Sequence, residues 1–344
     1  MDKDTGCLGW RLNIEVKMMI TFLVIIALFV LNITVLVHGQ QKQIQDSINI
    51  AIVTDTHIGE SCNGDLSYDG CKPVRALTLA VEKINSMNNI DIVFVSGDIT
   101  SSALYEEFVK ADDILSKLNI PYYPILGNHD SWPYTRHSDG SFNQTNTPIG
   151  DKYFSDVFGS RLKEGKNGES YVSDWPTNTC FNGDYGYQTW HHNYIVRFPE
   201  VFPNLQILGL DWVSRGSALP EPGVGPEAEL HDYECGTTDW ISKTIPKYHT
   251  NDTKYFIVQH HPFRNRDILD PLGHNVFYNF TFDEYQDHTV QNLLQDYFPP
   301  SSLLGIQAGH MHRWFDGTAF TKFTAINNEW LQVAEYETRY IKFL

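Results

Sequence analysis

The sequence predicts an α/β sandwich. Three observations carry that expectation. Past residue 47, six short and almost unbroken apolar runs follow one another, amphipathic stretches separate several of them, and unusual polar residues cluster where the apolar runs end. Short continuous apolar runs suit strands covered on both faces. Their alternation with helical patterns lays helices against a sheet.

The runs are INIAIVT (48–54), IDIVFVS (90–96), YYPILG (122–127), LQILGL (205–210), YFIVQ (255–259) and LLGIQAG (303–309). Between the first two, Val74, Leu77, Val81 and Ile84 recur at a spacing that gathers them on one helical face. Phe108, Ile114, Leu115 and Leu118 repeat less regularly before the third run. A further helix is expected over 283–297, with Asp283 as its cap. Residues 131–204 break the rhythm: rich in Gly, Asn, Asp, Trp and Tyr, they read as a long insertion decorating one rim. A loop of that length is functional or disordered, and its aromatic content favours an ordered lid. From Gly317 to Leu344 the chain reads as a pair of antiparallel strands closing the sheet.

The 344 residues are 42% hydrophobic and 19% charged, an ordinary globular balance, with a net charge of −17. That field repels phosphate backbones and argues against a nucleic-acid partner. It does not exclude a small phosphorylated substrate, because a bound cation reverses the local sign.

Met18 to Val37 is a stretch of twenty residues without a charge. As a helix it would span about 30 Å, the thickness of a bilayer core. Lys3, Arg11 and Lys17 precede it and only Lys42 follows closely, so the bulk of the chain is expected outside the cytosol. Val37-His38-Gly39 also fits a small-residue cleavage site, which leaves signal anchor and cleaved signal peptide both open. The division is then 1–45 as the export segment, a possible membrane attachment, and 46–344 as one catalytic domain, anchored or secreted. A buried core helix is the weaker alternative. Asn143-Gln144-Thr145, Asn251-Asp252-Thr253 and Asn279-Phe280-Thr281 are N-glycosylation acceptors. Cys7 lies before the apolar segment, leaving four cysteines beyond it, an even number suited to an oxidising compartment. Of three pairings, Cys62–Cys71, stapling a Gly/Asn/Asp-rich loop, and Cys180–Cys235 are favoured; four unpaired thiols are the alternative.

The strand ends carry the chemistry. The first run leads into Asp55-Thr56-His57, the second into Gly97-Asp98 and the third into Gly127-Asn128-His129-Asp130. The last two lead into Gln259-His260-His261-Pro262 and Gly309-His310-Met311-His312. Ligands of open α/β sheets bind beyond the carboxyl ends of the strands. In Asp55-x-His57 and His310-x-His312 the flanking side chains share one side of an extended chain. Carboxylates, an amide oxygen and imidazoles together suit divalent first-row metals. Two Asp, one Asn and four His fill two shells if one carboxylate bridges. Taken singly, Asp-x-His is usually a turn, Gly-Asp is noise and His-x-His is often a surface pair; the ordered set is what argues for a metal centre.

The series D-x-H, G-D, G-N-H-D, H-H-P and G-H-x-H resembles the calcineurin-like metallophosphoesterases over about residues 48–344. The resemblance implies a two-sheet β-sandwich flanked by helices in four αββα layers. It implies that Asp55, His57 and His312 hold a first metal, that Asn128, His260 and His310 hold a second, and that Asp98 bridges. His260 is preferred to His261 because it occupies the H-x-P position. The implied cofactors are two divalent or trivalent ions, Zn, Mn or Fe. The implied reaction is hydrolysis of a phosphodiester or phosphomonoester by a metal-bridging hydroxide, on a small-molecule or lipid-linked substrate. By the same resemblance His129 is the catalytic imidazole that protonates or stabilises the leaving oxygen, and Asp130 orients it.

Departures narrow the group. Ser101 stands where purple acid phosphatases carry a tyrosine, and Ile99-Thr100-Ser101-Ser102 lacks the arginine of protein Ser/Thr phosphatases. Asp130 stands where acid sphingomyelinases have Glu. What remains is most similar to exported or membrane-anchored phosphoesterases such as the relatives of transmembrane protein 62. Asp211 is expected to cap structure, and His191, His192 and Trp190 to belong to a folded surface loop. Arg264 and Arg266, close after His260, are candidates for a non-reacting phosphate, with ordinary surface charge slightly favoured. The alternative of another class is a non-catalytic metal-binding scaffold or interaction module of the same fold.

Overall fold

Each of the six apolar runs forms a strand. In chain order the elements are β1 (Ile48–Val53), α1 (Lys72–Asn85), β2 (Ile92–Ser96), α2 (Tyr105–Leu115), β3 (Tyr122–Ile125), β4 (Tyr134–Arg136), β5 (Phe142–Gln144) and α3 (Gly150–Glu164). They continue with β6 (Lys166–Asn167), β7 (Ser170–Ser173), β8 (Cys180–Asn182), β9 (Tyr187–Thr189), β10 (Tyr194–Phe198) and β11 (Phe202–Leu210). The last are α4 (Thr237–Tyr248), β12 (Lys254–Gln259), α5 (Glu284–Tyr297), β13 (Leu303–Gln307) and β14 (Thr338–Phe343). The computed structural model describes residues 47–136, 142–164, 166–167, 170–176, 179–182, 186–215, 228–262, 284–299, 301–310 and 338–343. These fall within one unit beginning at Ser47.

Two large sheets result, ordered β14-β1-β2-β3 and β13-β12-β11-β10-β7-β6, beside the two-stranded pairs β4-β5 and β8-β9. β1, β2 and β3 run parallel, as do β11, β12 and β13, while β14 and β10 add antiparallel partners beside β1 and β11. Side chains alternate faces along a strand, and the second sheet shows the consequence. Val196, Ile207, Phe256 and Val258 join the core shared with the first sheet. Their neighbours Ile195, Leu208, Leu210, Tyr255 and Ile257 join a second core with Trp240 and Ile241 of α4 and Val290 and Leu294 of α5. Val74, Leu77, Val81 and Ile84 of α1 are all buried against the first sheet, as their spacing predicts. The fold is therefore the four-layer sandwich: helices, sheet, sheet, helices. Burial of each such aliphatic side chain is worth about 1.5–3 kcal/mol.

The stretch 131–204 is more than a rim decoration. Phe154, Phe158 and Leu162 of α3 pack in the main core, and β10 pairs antiparallel with β11 from Tyr194↔Gly209. The apolar positions of α3 are spaced among Lys, Asp and Ser, which hides their period in the sequence. Helix α4 is also unanticipated: its buried apolar positions are only Trp240, Ile241 and Ile245, and Pro246 lies inside it. Of the C-terminal pair, β14 is described and runs antiparallel to β1, Ile48↔Phe343; residues 311–337 lie outside the described residues.

Both disulfides form as paired in the sequence analysis, Cys62–Cys71 with Cα atoms 4.6 Å apart and Cys180–Cys235 with Cα atoms 5.7 Å apart. Asn143 and Asn251 are exposed, and Asn279 lies outside the described residues. Met18 to Val37 also lies outside them, and among the described residues no helix is long and apolar enough to cross a membrane.

Candidate active site

The parallel strands of both sheets deliver their C-terminal loops to one place. Asp55 and His57 follow β1, Asp98 follows β2, Asn128 and His129 follow β3, His260 follows β12 and His310 follows β13. The backbone bends sharply there. Asp55, His57, Asp98 and His310 have φ of 53°, 43°, 48° and 75°, a left-handed region that non-glycine residues enter at a cost. Gly97, at φ 87°, precedes Asp98, and a Cβ there would stand 2.5 Å from Nδ1 of His260. A Cβ on Gly127 would stand 2.1 Å from the backbone nitrogen of Asp98. The motif glycines are thus demanded by how closely the loops approach.

Ligand-type atoms converge at hydrogen-bond distances. His260 Nε2 lies 3.0 Å from Asn128 Oδ1 and 3.2 Å from Asp98 Oδ1. His310 Nδ1 lies 3.0 Å from the same Asn128 oxygen and 3.2 Å from His260 Nε2. On the other side, His57 Nε2 lies 3.6 Å from Asp98 Oδ2. Asp98 therefore turns one oxygen to each of two donor groups. Asp55 accepts the main-chain N–H of His310 at 2.9 Å and the hydroxyl of Thr54 at 2.6 Å. Asp55, Asp98 and His260 bring one ligand atom each within 4.8 Å of one another, as do His57, Asp98 and His129.

These contacts fit cations. The Ser96 carbonyl can only accept, so Nδ1 of His260 donates to it at 2.9 Å, which turns Nε2 toward two oxygens. Ring nitrogens and oxygens crowded at 3.0–3.2 Å call for positive charge among them, a proton on the ring or a metal ion in its place. The electrostatics say the same. Burial disfavours a charged His260, yet the Asp98 carboxylate overrides it and lifts His260 to about 10. Burial also opposes ionisation of Asp98, but His260, His129 and His57 hold it well below the usual carboxylate range. Burial, helped by His260, pushes His310 down to about 3 and keeps it neutral. Beside them His261 is fully buried, its ring 4.7 Å from that of His310, and among the described residues neither of its ring nitrogens has a hydrogen-bond partner.

His129 reaches the same place. Its main-chain N–H donates to Asp98 Oδ1 at 2.9 Å, its ring stands edge-on to His57 with centroids 4.8 Å apart, and its Nδ1 donates to the Ser101 carbonyl at 2.8 Å. The expected orienter is therefore corrected: Ser101, through its backbone, fixes this ring. Asp130 is fully buried and accepts from the N–H groups of Ile99, Thr100 and Gly127 and from the Thr100 hydroxyl, at 3.1, 2.7, 2.9 and 2.7 Å. It braces the loop after β2 against the loop after β3, and so positions Asp98 and Asn128. Burial and the nearby Asp98 charge raise it to about 6.

His312, Arg264 and Arg266 lie outside the described residues. Asp211 is structural, as expected: it accepts from the His192 and Val213 N–H groups and pairs with buried Arg215 at 2.7 Å. His191 and His192 are not on a surface loop. Both are buried, His192 bonded to the Asp151 carbonyl and His191 to the Tyr233 hydroxyl. Their partners lie about forty residues away in the chain, a relation no local pattern reveals. The sequence also hides Ser96 and Ser101, which act through carbonyls that every residue possesses.

A sandwich that gathers carboxylate, amide and imidazole ligands at its strand ends is the architecture of a metal-dependent phosphoester hydrolase. The chain belongs to the calcineurin-like phosphoesterase family, whose model matches residues 48–314. It is similar to a probable glycerophosphodiester phosphodiesterase, GpdQ, of Arcobacter nitrofigilis: 35% identical over 262 residues, 76% of this chain and 70% of that one. Among solved structures, a purple acid phosphatase from yellow lupin matches with a TM-score of 0.36 at 14% identity, over 77% of this chain and 38% of that chain. Phosphopantetheinyl hydrolase from Mycobacterium tuberculosis matches with a TM-score of 0.37 at 13% identity, over 79% of this chain and 87% of that chain.

Proposed function

We propose that the chain hydrolyses a small phosphoester at a dinuclear metal centre outside the cytosol. One observation carries the reading: the two oxygens of Asp98 face separate donor groups, His260 at 3.2 Å and His57 at 3.6 Å. Asp55, His57 and His312 would hold one cation, Asn128, His260 and His310 the other, with Asp98 between them. When bound, two such ions supply a water activated near neutral pH and positive charge opposite the phosphate oxygens. The ligand types suit Zn, Mn or Fe.

The chain's own groups do the rest. His310's N–H holds the Asp55 carboxylate in place, and Ser96's carbonyl keeps His260 in the tautomer that presents Nε2. Because Nδ1 of His129 is committed to Ser101, its Nε2 is the atom that can deliver a proton to the leaving alcohol. The relative named as a glycerophosphodiester phosphodiesterase supports a diester substrate. An exported location, with or without an anchor at Met18 to Val37, is supported by the two disulfides and by exposed acceptor asparagines at 143 and 251.

The test is hydrolysis of bis(p-nitrophenyl) phosphate and p-nitrophenyl phosphate with added Mn, by the whole chain and by Asp98→Asn and His129→Ala. Metal-dependent turnover, lost or strongly reduced in both variants, is expected. Folded protein without turnover on either ester would favour the scaffold reading.

A further inference from the structure

Two side chains meet at the carbonyl of Ser101. Nδ1 of His129 donates to it at 2.8 Å, and the hydroxyl of Tyr134 donates to it at 2.8 Å as well. A carbonyl oxygen has two lone pairs, and these donors take both. Tyr134 is buried, and it also fastens the next peptide: its main-chain N–H donates to the Ser102 carbonyl at 3.1 Å. His129, Ser101 and Tyr134 line one cleft beside the proposed centre.

The loop around Ser101 is pinned through consecutive N–H groups. Those of Ile99 and Thr100 go to Asp130, and that of Ser101 goes to the Ile58 carbonyl at 2.9 Å. The N–H of Ser102 goes to Glu107 at 2.9 Å and that of Ala103 to the Thr100 hydroxyl at 3.1 Å. Tyr134 secures the other side of this loop by taking the carbonyls of Ser101 and Ser102. Its own place is set elsewhere. Tyr134 opens β4, which pairs with β5 at Tyr134↔Gln144, and the Thr145 N–H donates to the Pro133 carbonyl at 2.9 Å. The hydroxyl thus stands on a strand and restrains a loop. A carbonyl so fixed holds an imidazole in one orientation and keeps the proton on its Nδ1.

Resting on the proposed hydrolase reading, we infer that Tyr134 is a further positioning residue for the leaving-group step. Its hydroxyl aims the Ser101 carbonyl, and the carbonyl fixes the His129 ring. As the bond from phosphorus to the leaving oxygen breaks, Nε2 of His129 gives its proton to that oxygen. The ring is left neutral, with its Nδ1 proton still on Ser101, and the alcohol departs uncharged. Tyr134 acts through Ser101 and not on the reacting atoms. Losing one neutral hydrogen bond of this kind lowers kcat by roughly threefold to tenfold, and only where His129 has a proton to deliver.

The experiment compares bis(p-nitrophenyl) phosphate with diphenyl phosphate, whose leaving phenol is less acidic and needs the proton more. The Mn-loaded full chain, Tyr134→Phe, His129→Gln and the double variant are assayed on both, with thermal melting confirming that each is folded. For Tyr134→Phe the expected result is a kcat loss of roughly threefold to tenfold on diphenyl phosphate, with little change on the nitrophenyl ester and KM unchanged on both. In the His129→Gln background the same substitution should cost nothing further. Equal losses on both esters, or a loss that persists without His129, would overturn the inference while leaving the hydrolase reading intact. A second measurement needs no turnover: nitrogen NMR of the Zn-loaded full chain at a pH where His129 is neutral. A proton fixed on Nδ1 in the parent, and shared between the two ring nitrogens in Tyr134→Phe, is expected; the same distribution in both would overturn the inference. Should neither ester be cleaved, the hydrolase reading fails by itself, and the spectrum alone decides whether Tyr134 positions the ring.

Discussion

Asp98→Asn isolates the charge on which the proposed centre depends. Asp98 is 1% exposed, and its oxygens lie 3.2 Å from His260 Nε2 and 3.6 Å from His57 Nε2. The change keeps shape and volume and removes one negative charge. Its worth can be read from what it does to a proton. The Asp98 carboxylate, with Asp55 and the Ser96 carbonyl, lifts His260 to about 10 against burial. Coulomb's law at 3.2 Å with an effective dielectric constant of about 20 puts such a charge pair at ~5 kcal/mol. A divalent ion carries twice the charge of a proton, so the loss in cation affinity is at least about three orders of magnitude, even after allowing for the opposing cost of desolvation. Titrating Mn or Zn into apo protein by calorimetry measures it, with thermal melting confirming that the variant is folded. A Kd within tenfold of the parent's would refute the reasoning, because Asp98 would then not face the cation.

Three further outcomes follow from the same geometry. His129→Gln should lower kcat by roughly 10²–10⁴ on an ester with a poorly acidic leaving alcohol, and much less on p-nitrophenyl esters, whose leaving group needs no proton; equal losses on both would remove the proton-donor role. Gly127→Ala forces a Cβ to within 2.1 Å of the Asp98 backbone nitrogen, so it should cost about 1–3 kcal/mol in unfolding free energy and weaken metal binding; denaturant unfolding and metal titration check both. Arg215→Met strips the partner from buried Asp211 and Asp151, at 2.7 and 3.2 Å, and should destabilise by about 3–5 kcal/mol near neutral pH. Burial already pushes Asp151 up to about 7 against the pull of Arg215, whereas Asp211 is held below the usual carboxylate range against burial by Arg215, with His231 and His192 helping; without Arg215, Asp151 rises further and Asp211 rises too. A raised carboxyl favours folding while protonated and loses that contribution as pH climbs to its folded value. The variant's deficit in melting temperature should therefore be smaller at about pH 5 than at about pH 8, and a deficit independent of pH would contradict the account.

What could be read from the sequence was whatever repeats locally. Apolar runs gave strands because parallel strands covered on both faces must be apolar throughout, and Val74, Leu77, Val81 and Ile84 announced α1 by spacing alone. The convergence of Asp55, His57, Asp98, Asn128, His129, His260 and His310 was legible for a related reason: each sits within a few positions of a strand end, so strand ends and unusual residues could be matched in order. What failed depended on partners far away in the chain. Asp130 looked like an orienter for its neighbour His129, but its carboxylate is claimed by the N–H groups of Ile99, Thr100 and Gly127. His191 and His192 looked like surface residues until Asp151 and Tyr233 closed around them. The carbonyl of Ser101 carries no signal in a sequence, because an orienting carbonyl belongs to no residue type.

Anomalous X-ray scattering from crystals of the Mn- or Zn-loaded chain, collected at the metal edge, bears on the central claim without intermediary. Two peaks flanking Asp98, one on the side of His57 and the other on the side of His260, are the predicted result. A single peak away from Asp98, or none in material that turns over substrate, would contradict the shared-carboxylate centre.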